Sequence, residues 1–254
     1  MAAMDIEVSD NVVTLPGPPR VTVLLRRSAR ARRLNLRVSG LDGHVTLSIP
    51  RNLPQRKALE FLTEKEDWLR KALRRIPDQH QVAPGREIPL RGCPVRITEQ
   101  PGLRRVIEGN AVLLVPQDAS QTRTAARLAN YLKASAQVEL RAAAQHYAAQ
   151  IQRPISAIAL RDTRSRWGSC TVQGRLMFSW RLIMAPPEVL RYVAAHEVAH
   201  LRHMDHSPAF WACVGELMPD YAPHRAWLRR HGATLHSYRF GTRPGAPAED
   251  QPIA

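Results

Sequence analysis

In the stretch "YVAAHEVAHLRHMDHSPAFW", residues 192–211, four histidines fall within eleven positions and a glutamate follows the first. His196-Glu197-Val198-Ala199-His200 reads H-E-x-x-H. Side chains four apart on a helix are separated by about 40° and roughly 6 Å of rise, so two imidazoles so placed converge on one cation. Zinc takes such nitrogens at about 2.0–2.1 Å. Glu197 points beside that position, where a bound water would sit and a carboxylate can take its proton. Chance produces the pattern in about one or two chains in a hundred of this length, so the surroundings must decide. Ala194, Ala195, Val198, Ala199 and Leu201 make the helix apolar nearly all round, hence buried. Two imidazoles and a carboxylate buried without partners are costly, and a metal removes that cost.

Two histidines compete as third ligand. His203 lies angularly close to His196 and His200 but well beyond them along a straight helix. His206 cannot reach from a straight helix at all. Ser207-Pro208, however, reads as an N-cap followed by proline at the first helical position. The first helix must then end before His206, and a bend there can swing its ring back, leaving a fourth position open for water as in catalytic zinc sites. That favours His206, with His203 a surface residue near the helix end, where a cation is welcome. Asp205, Glu216 and Asp220 are candidates to orient the imidazoles.

These residues need elements to hold them. "RRLNLRV" and "HVTLSIP" alternate apolar and polar positions across the turn "SGLDG", giving a hairpin with one arginine-lined face. A helix is expected from Pro54 to about residue 75, with Ala58, Phe61, Leu62, Trp68 and Leu69 on its apolar side. Two further hairpin-like pieces follow, the clearer being "RRVIEGNAVLLVP". An alanine-rich helix runs from about Ser120 to Gln150 and stops before Pro154. "SAIALRD" and "GRLMFSWRLI" read as paired strands around "SRWGSCTVQG". The H-E-x-x-H helix starts at Pro186-Pro187, and two more helices follow, the last closed by Gly232.

The chain of 254 residues is 44% hydrophobic, enough to bury a real core. Neither a signal peptide nor a membrane span is legible, and three scattered cysteines suit reduced thiols, so a soluble cytoplasmic protein is expected. Net charge is +15, almost all of it arginine, since lysine occurs only at 57, 65, 71 and 133. Arginine forks match phosphate, which points to a nucleotide or nucleic-acid partner; a GC-rich genome decorating solvated faces accounts for the bias equally well.

Residues 165–232 closely resemble the YgjP-like metallopeptidase domain family, related to SprT-like zinc proteases and to the wider zincin group. The resemblance is carried in order by Arg166-Trp167-Gly168-Ser169-Cys170, Trp180-Arg181-Leu182-Ile183, Ala185-Pro186-Pro187, the H-E-x-x-H, His206-Ser207, Phe210-Trp211 and Pro219-Asp220-Tyr221. The arginine-rich hairpin and "EDWLRKAL" are similar to the family's N-terminal region. Phe178-Ser179 and Asp205 depart from the family pattern without touching the proposed ligands, and His203 stands where metzincins carry glycine. The resemblance implies a zinc-dependent hydrolase, one Zn2+ per chain, with His196, His200 and His206 as ligands and Glu197 as general base. Arg166 and Tyr221 are candidate contacts to substrate or transition state. Against these, Trp167, Phe210 and Trp211 read as core, Tyr221 as a packed ring and Cys170 as an inert thiol.

The expected fold is α+β: residues 1–117 a β-rich N-terminal region with one helix, 118–240 a zincin-like catalytic region, 241–254 a disordered tail. The expected substrate is a peptide or protein. Two alternatives remain: a nucleotide phosphoanhydride attacked at the same site, and a basic nucleic-acid-binding protein whose metal is structural. A structural zinc would close its fourth position, often with cysteine, and no C-x-x-C accompanies these histidines.

Overall fold

The computed structural model describes residues 7–9, 11–40, 43–74, 76, 78–120 and 122–241. The chain divides into two compact units, Met1–Asp78 and Gln79–Ala254.

In the first unit five strands, β1 (Glu7–Ser9), β2 (Val12–Leu15), β3 (Val21–Ser28), β4 (Asn35–Val38) and β5 (Val45–Pro50), form one sheet in the order β1-β2-β3-β5-β4. Alternation drives it: Val21, Val23 and Leu25 of β3 and Val45, Leu47 and Ile49 of β5 all point inward. The hairpin expected from the sequence is present, Leu36 opposite Leu47 and Val38 opposite Val45. Ala58 and Leu62 of α1 (Gln55–Glu64) and Leu69 of α2 (Glu66–Leu73) complete the core. The single helix expected from Pro54 onward is therefore two. Lys65, at φ −95° and ψ 5°, interrupts the α conformation between them. Trp68, expected on the apolar side, is 50% exposed, since it stands about 100° round the helix from the buried Leu69.

The second unit begins at Gln79, whereas the sequence reading placed a division at 117/118. The reason is packing. β6 (His80–Gln81) is followed by the hairpins β7 (Glu87–Leu90)–β8 (Cys93–Gln100) and β9 (Ile107–Gly109)–β10 (Val112–Pro116). Their inward residues Ile88, Leu90, Val95, Ile97, Leu113 and Val115 share one core with the long helix α3 (Thr124–Gln150). The two hairpins join through a parallel β8–β10 pairing, giving the order β7-β8-β10-β9.

Next come β11 (Ala157–Arg161), β12 (Gly168–Cys170) and β13 (Arg175–Ser179), in the order β11-β13-β12. The expected pair β11–β13 is present but parallel, and β12 lies antiparallel at the edge. "WRLI", expected as the end of a strand, instead lies in a 3-10 turn over Trp180–Met184. α4 (Pro187–Ala199), α5 (Pro208–Leu217) and α6 (Tyr221–Leu235) follow, and β14 (Tyr238–Arg239) closes back on β6. Gly232 does not end α6, which runs three residues further. A Cβ there would meet the Trp167 indole at 3.0 Å, so this glycine serves close packing.

Two devices fix α4. The tip of the β7–β8 hairpin donates Arg91 and Gly92 N–H groups to the Ile183 and Met184 carbonyls at 2.8 and 3.2 Å, just ahead of the helix. Gly92, at φ +80°, is required: a Cβ would lie 2.9–3.1 Å from Pro186. Along its length α4 packs on α3, with Leu132, Ala136, Leu140 and Ala144 fully buried beneath it. Among the described residues no helix is long and apolar enough to cross a membrane. The tail from residue 242 lies outside the described residues.

Candidate metal centre

α4 carries His196 and Glu197 and ends at Ala199, with His200 as its C-cap. The chain then turns, and Ser207 caps α5 by accepting the Phe210 N–H on its Oγ at 3.4 Å, with Pro208 at the first helical position. Asp205 Oδ1 accepts the Ser207 N–H at 3.3 Å, which tightens the bend. The bend brings the His206 ring beside those of His196 and His200. The His196–His206, His200–His206 and His196–His200 ring centroids are 5.1, 4.9 and 5.1 Å apart. One ring nitrogen from each lies within 4.8 Å of the others, a group able to hold a metal ion.

His200 Nδ1 donates to the His203 carbonyl at 2.9 Å, which leaves Nε2 as the free acceptor. The Nε2 atoms of His196 and His206 face each other at 3.2 Å. Two nitrogens at tetrahedral positions on one zinc stand about 3.3 Å apart. Burial, with help from the His200 and His206 rings and Arg225, pushes His196 down to about 3, so its ring is neutral, the form a metal requires. Beneath the triad sits Phe210, fully buried, its ring 4.4 Å from that of His200, 4.8 Å from His206 and 4.9 Å from His196. Phe210 is core, as its sequence setting implies, and it floors all three rings.

Glu197 is buried, and burial drives its carboxyl up to about 8 against the opposing pull of the Arg166 charge. It lies against the edge strand β12. A Cβ on Gly168 would come within 2.5 Å of Glu197 Cγ and Oε1. Only glycine admits the carboxylate there.

The remaining sequence candidates divide. Arg166 is exposed and acts on Glu197 through its charge. Trp167 packs on His236, centroids 4.9 Å apart, and on Gly232. Tyr221 is half-buried and stacked on Trp211 at 5.6 Å and Tyr192 at 6.3 Å; both of those rings stand within 6.0 Å of His196. Cys170 donates its thiol to the Thr171 carbonyl at 3.3 Å, and burial together with the Glu197 charge pushes it up to about 11, so it is a thiol and not a thiolate. The His203 ring is outside the metal-competent group.

None of the three carboxylates expected to orient the imidazoles is seen to do so. Asp205 serves the bend, Glu216 stands 3.8 Å from Arg202, and Asp220 pairs with His224 at 3.4 Å. The His203 carbonyl takes that role for His200, and a backbone carbonyl leaves no trace in residue type. The role of Gly168, within the Arg-Trp-Gly-Ser-Cys block, is not legible in the sequence. Nor does any sequence pattern single out Arg225, 4.3 Å from the Trp211 ring.

A profile of the family described as YgjP-like, metallopeptidase domain, matches residues 32–231. The chain belongs to the YgjP-like metallopeptidase domain family. No curated protein matches it. Among solved structures it is similar to the metallopeptidase zymogen abylysin of Pyrococcus abyssi, at 18% identity and a TM-score of 0.33, over 37% of this chain and 92% of that one. For a YgjP-like chain the family implies a metal ion, and His196, His200 and His206 are the group among the described residues that could bind it.

Proposed function

We propose that this chain is a zinc-dependent peptidase of zincin-like design, with His196, His200 and His206 as metal ligands and Glu197 as general base. The observation that carries the reading is the convergence of three imidazole nitrogens within 4.8 Å beside a buried carboxylate. His196, His200 and His206 would hold the zinc ion, which would supply an acidified water and polarise the substrate carbonyl.

The chain's own residues do the rest. Glu197 accepts the attacking water's proton on its carboxylate and returns it to the leaving amide nitrogen. Burial alone holds this carboxyl up at about 8, and the charge of a cation bound beside it would favour the carboxylate, the form that accepts the proton. Phe210 fixes the ring planes, and the His203 carbonyl fixes the His200 tautomer. His206 is exposed while His200 is buried, so the centre opens to solvent on one side. β12 is an edge strand lying against Glu197, and an extended peptide pairing with it would bring its scissile carbonyl past the base. Arg166, exposed and acting on Glu197 through its charge, would steady the oxyanion. Tyr221 would line the opposite, aromatic wall.

The test is a side-by-side screen of peptides and nucleoside triphosphates with zinc-loaded protein, with and without a chelator. The reading expects about one zinc per chain, lost in His196→Ala, and chelator-sensitive peptide cleavage. Hydrolysis of the triphosphates with no peptide cleaved would replace the substrate class while keeping the site. Metal-free protein that stays metal-free on zinc titration would remove the site itself.

A further inference from the structure

Two buried or half-buried arginines of the second unit are engaged by carboxylates: Arg91 by Glu108 and Glu139, both at 2.6 Å, and Arg181 by Asp162 at 2.7 Å. Arg225 differs. It is exposed on α6, one turn beyond Tyr221, and its guanidinium carbon lies 4.3 Å from the Trp211 ring centroid. Among the described residues no carboxylate pairs with it; the acids of this region, Glu216 and Asp220, face Arg202 and His224.

Its position relative to the metal centre is set by one aromatic ring. Trp211 stands 5.7 Å from the His196 ring and 6.0 Å from the His206 ring. The Arg225 charge is felt at His196 and at Tyr192. Stacking holds a guanidinium by its face and leaves the N–H groups at its planar edge, where a carboxylate is received bidentately. A guanidinium already held against an indole also loses less rotamer freedom when a ligand arrives. With Arg166 on the Glu197 side, the approaches to the centre carry two cations, while Glu197 itself is buried.

We propose that Arg225 is a specificity-determining residue that receives a carboxylate of the peptide substrate, so that the preferred substrates are peptides with an acidic side chain or a free C-terminus close to the scissile bond. The inference rests on the peptidase reading above. The two ring distances put the guanidinium within about 10 Å of His196. An extended chain rises about 3.3 Å per residue, so the recognised carboxylate lies within roughly three residues of the cleaved bond. The competing account is that Arg225 only covers the face of a half-exposed tryptophan.

The experiment is a matched peptide series carrying Glu, Gln or Lys at each of three positions on either side of the bond, each with a free or an amidated C-terminus. Zinc-loaded wild-type protein should favour Glu over Gln, or free over amidated terminus, by about tenfold in kcat/KM at one position, the size expected of a partly exposed charge-assisted pair. The position at which the preference appears tells side chain from terminus. In Arg225→Gln the ratio should fall to about one, and Arg225→Lys, which keeps charge but loses the fork, should keep part of it. The same ratio should appear in dissociation constants measured by tryptophan fluorescence on zinc-loaded Glu197→Gln protein, where no turnover occurs. A wild-type ratio near one, or a ratio unchanged in Arg225→Gln, overturns the proposal. If wild-type protein cleaves none of the peptides, the peptidase reading fails. The carboxylate reading is then decided by whether Glu197→Gln protein binds acidic peptides tighter than Glu197→Gln/Arg225→Gln does.

Discussion

Adding one methyl group to Gly168 should disable the base without touching the metal. The methyl would sit 2.5 Å from Glu197 Cγ and Oε1 and 2.7 Å from Cδ, where ordinary contacts begin at 3.4 Å. Gly168 has no left-handed φ, so alanine is not strained by its backbone and the substitution probes this contact alone. The contact must open by about 1 Å, and a misplacement of that size costs roughly 10²-fold in rate. Glu197 cannot simply swing away, because it is 5% exposed on a helix whose neighbours Val198 and Ala199 are fully buried. Overpacking of about 1–3 kcal/mol should accompany the loss, a fall in Tm of roughly 2–10 °C. The assay compares zinc-loaded Gly168→Ala with wild type and with Gly40→Ala, where a methyl meets nothing within 4 Å. Zinc content should be unchanged, since the three imidazoles are untouched, while kcat/KM falls by about two orders of magnitude. A folded, zinc-loaded Gly168→Ala whose kcat/KM stays within about threefold of wild type would refute the assignment of Glu197.

Replacing the base itself, Glu197→Gln, should retain zinc and lose roughly 10²–10⁴-fold in rate; retained hydrolysis would mean another group takes the proton. His206→Ala should lose zinc on dialysis, whereas His203→Ala, which removes a ring but keeps the carbonyl that holds His200, should keep it, and metal analysis of the two decides the third ligand. Arg181, its side chain 10% exposed, donates to Asp162 and to the Leu235 and Tyr238 carbonyls at 2.7–3.2 Å. Arg181→Met should therefore cost about 3 kcal/mol, and a Tm within about 2 °C of wild type would show that this tie is dispensable. Burial, aided by the Arg181 charge, lowers His236 to about 4. The unfolded chain thus binds the extra proton between pH 4 and the ordinary 6.5, so stability rises with pH across that window and is lost as pH falls through it. His236→Phe, which keeps a ring against Trp167, should reduce the slope of the Tm profile there, leaving the part due to His196; an unchanged slope would place the acid sensitivity elsewhere.

The sequence alone determined whatever short-range rules govern. Alternation marked the β4–β5 hairpin, Ser207-Pro208 marked the start of α5, and that cap required the bend which brings His206 to His196 and His200. Each of these depends on a few neighbouring residues, through side-chain period or a single cap. Tertiary structure decided whatever depends on residues distant in the chain or on backbone atoms. The break at Lys65 has no proline or glycine to announce it, and the parallel pairings β8–β10 and β11–β13 join strands whose alternation says nothing about direction. The unit that begins at Gln79 takes in the β7–β10 sheet because that sheet buries its apolar face on α3. At the centre itself carboxylates were expected to orient the imidazoles; for His200 a main-chain carbonyl does so, and every residue carries that group while none advertises it. Gly168 and Arg225 matter for the groups that lie across from them, a carboxylate on α4 and an indole on α5, and only folding sets those faces together.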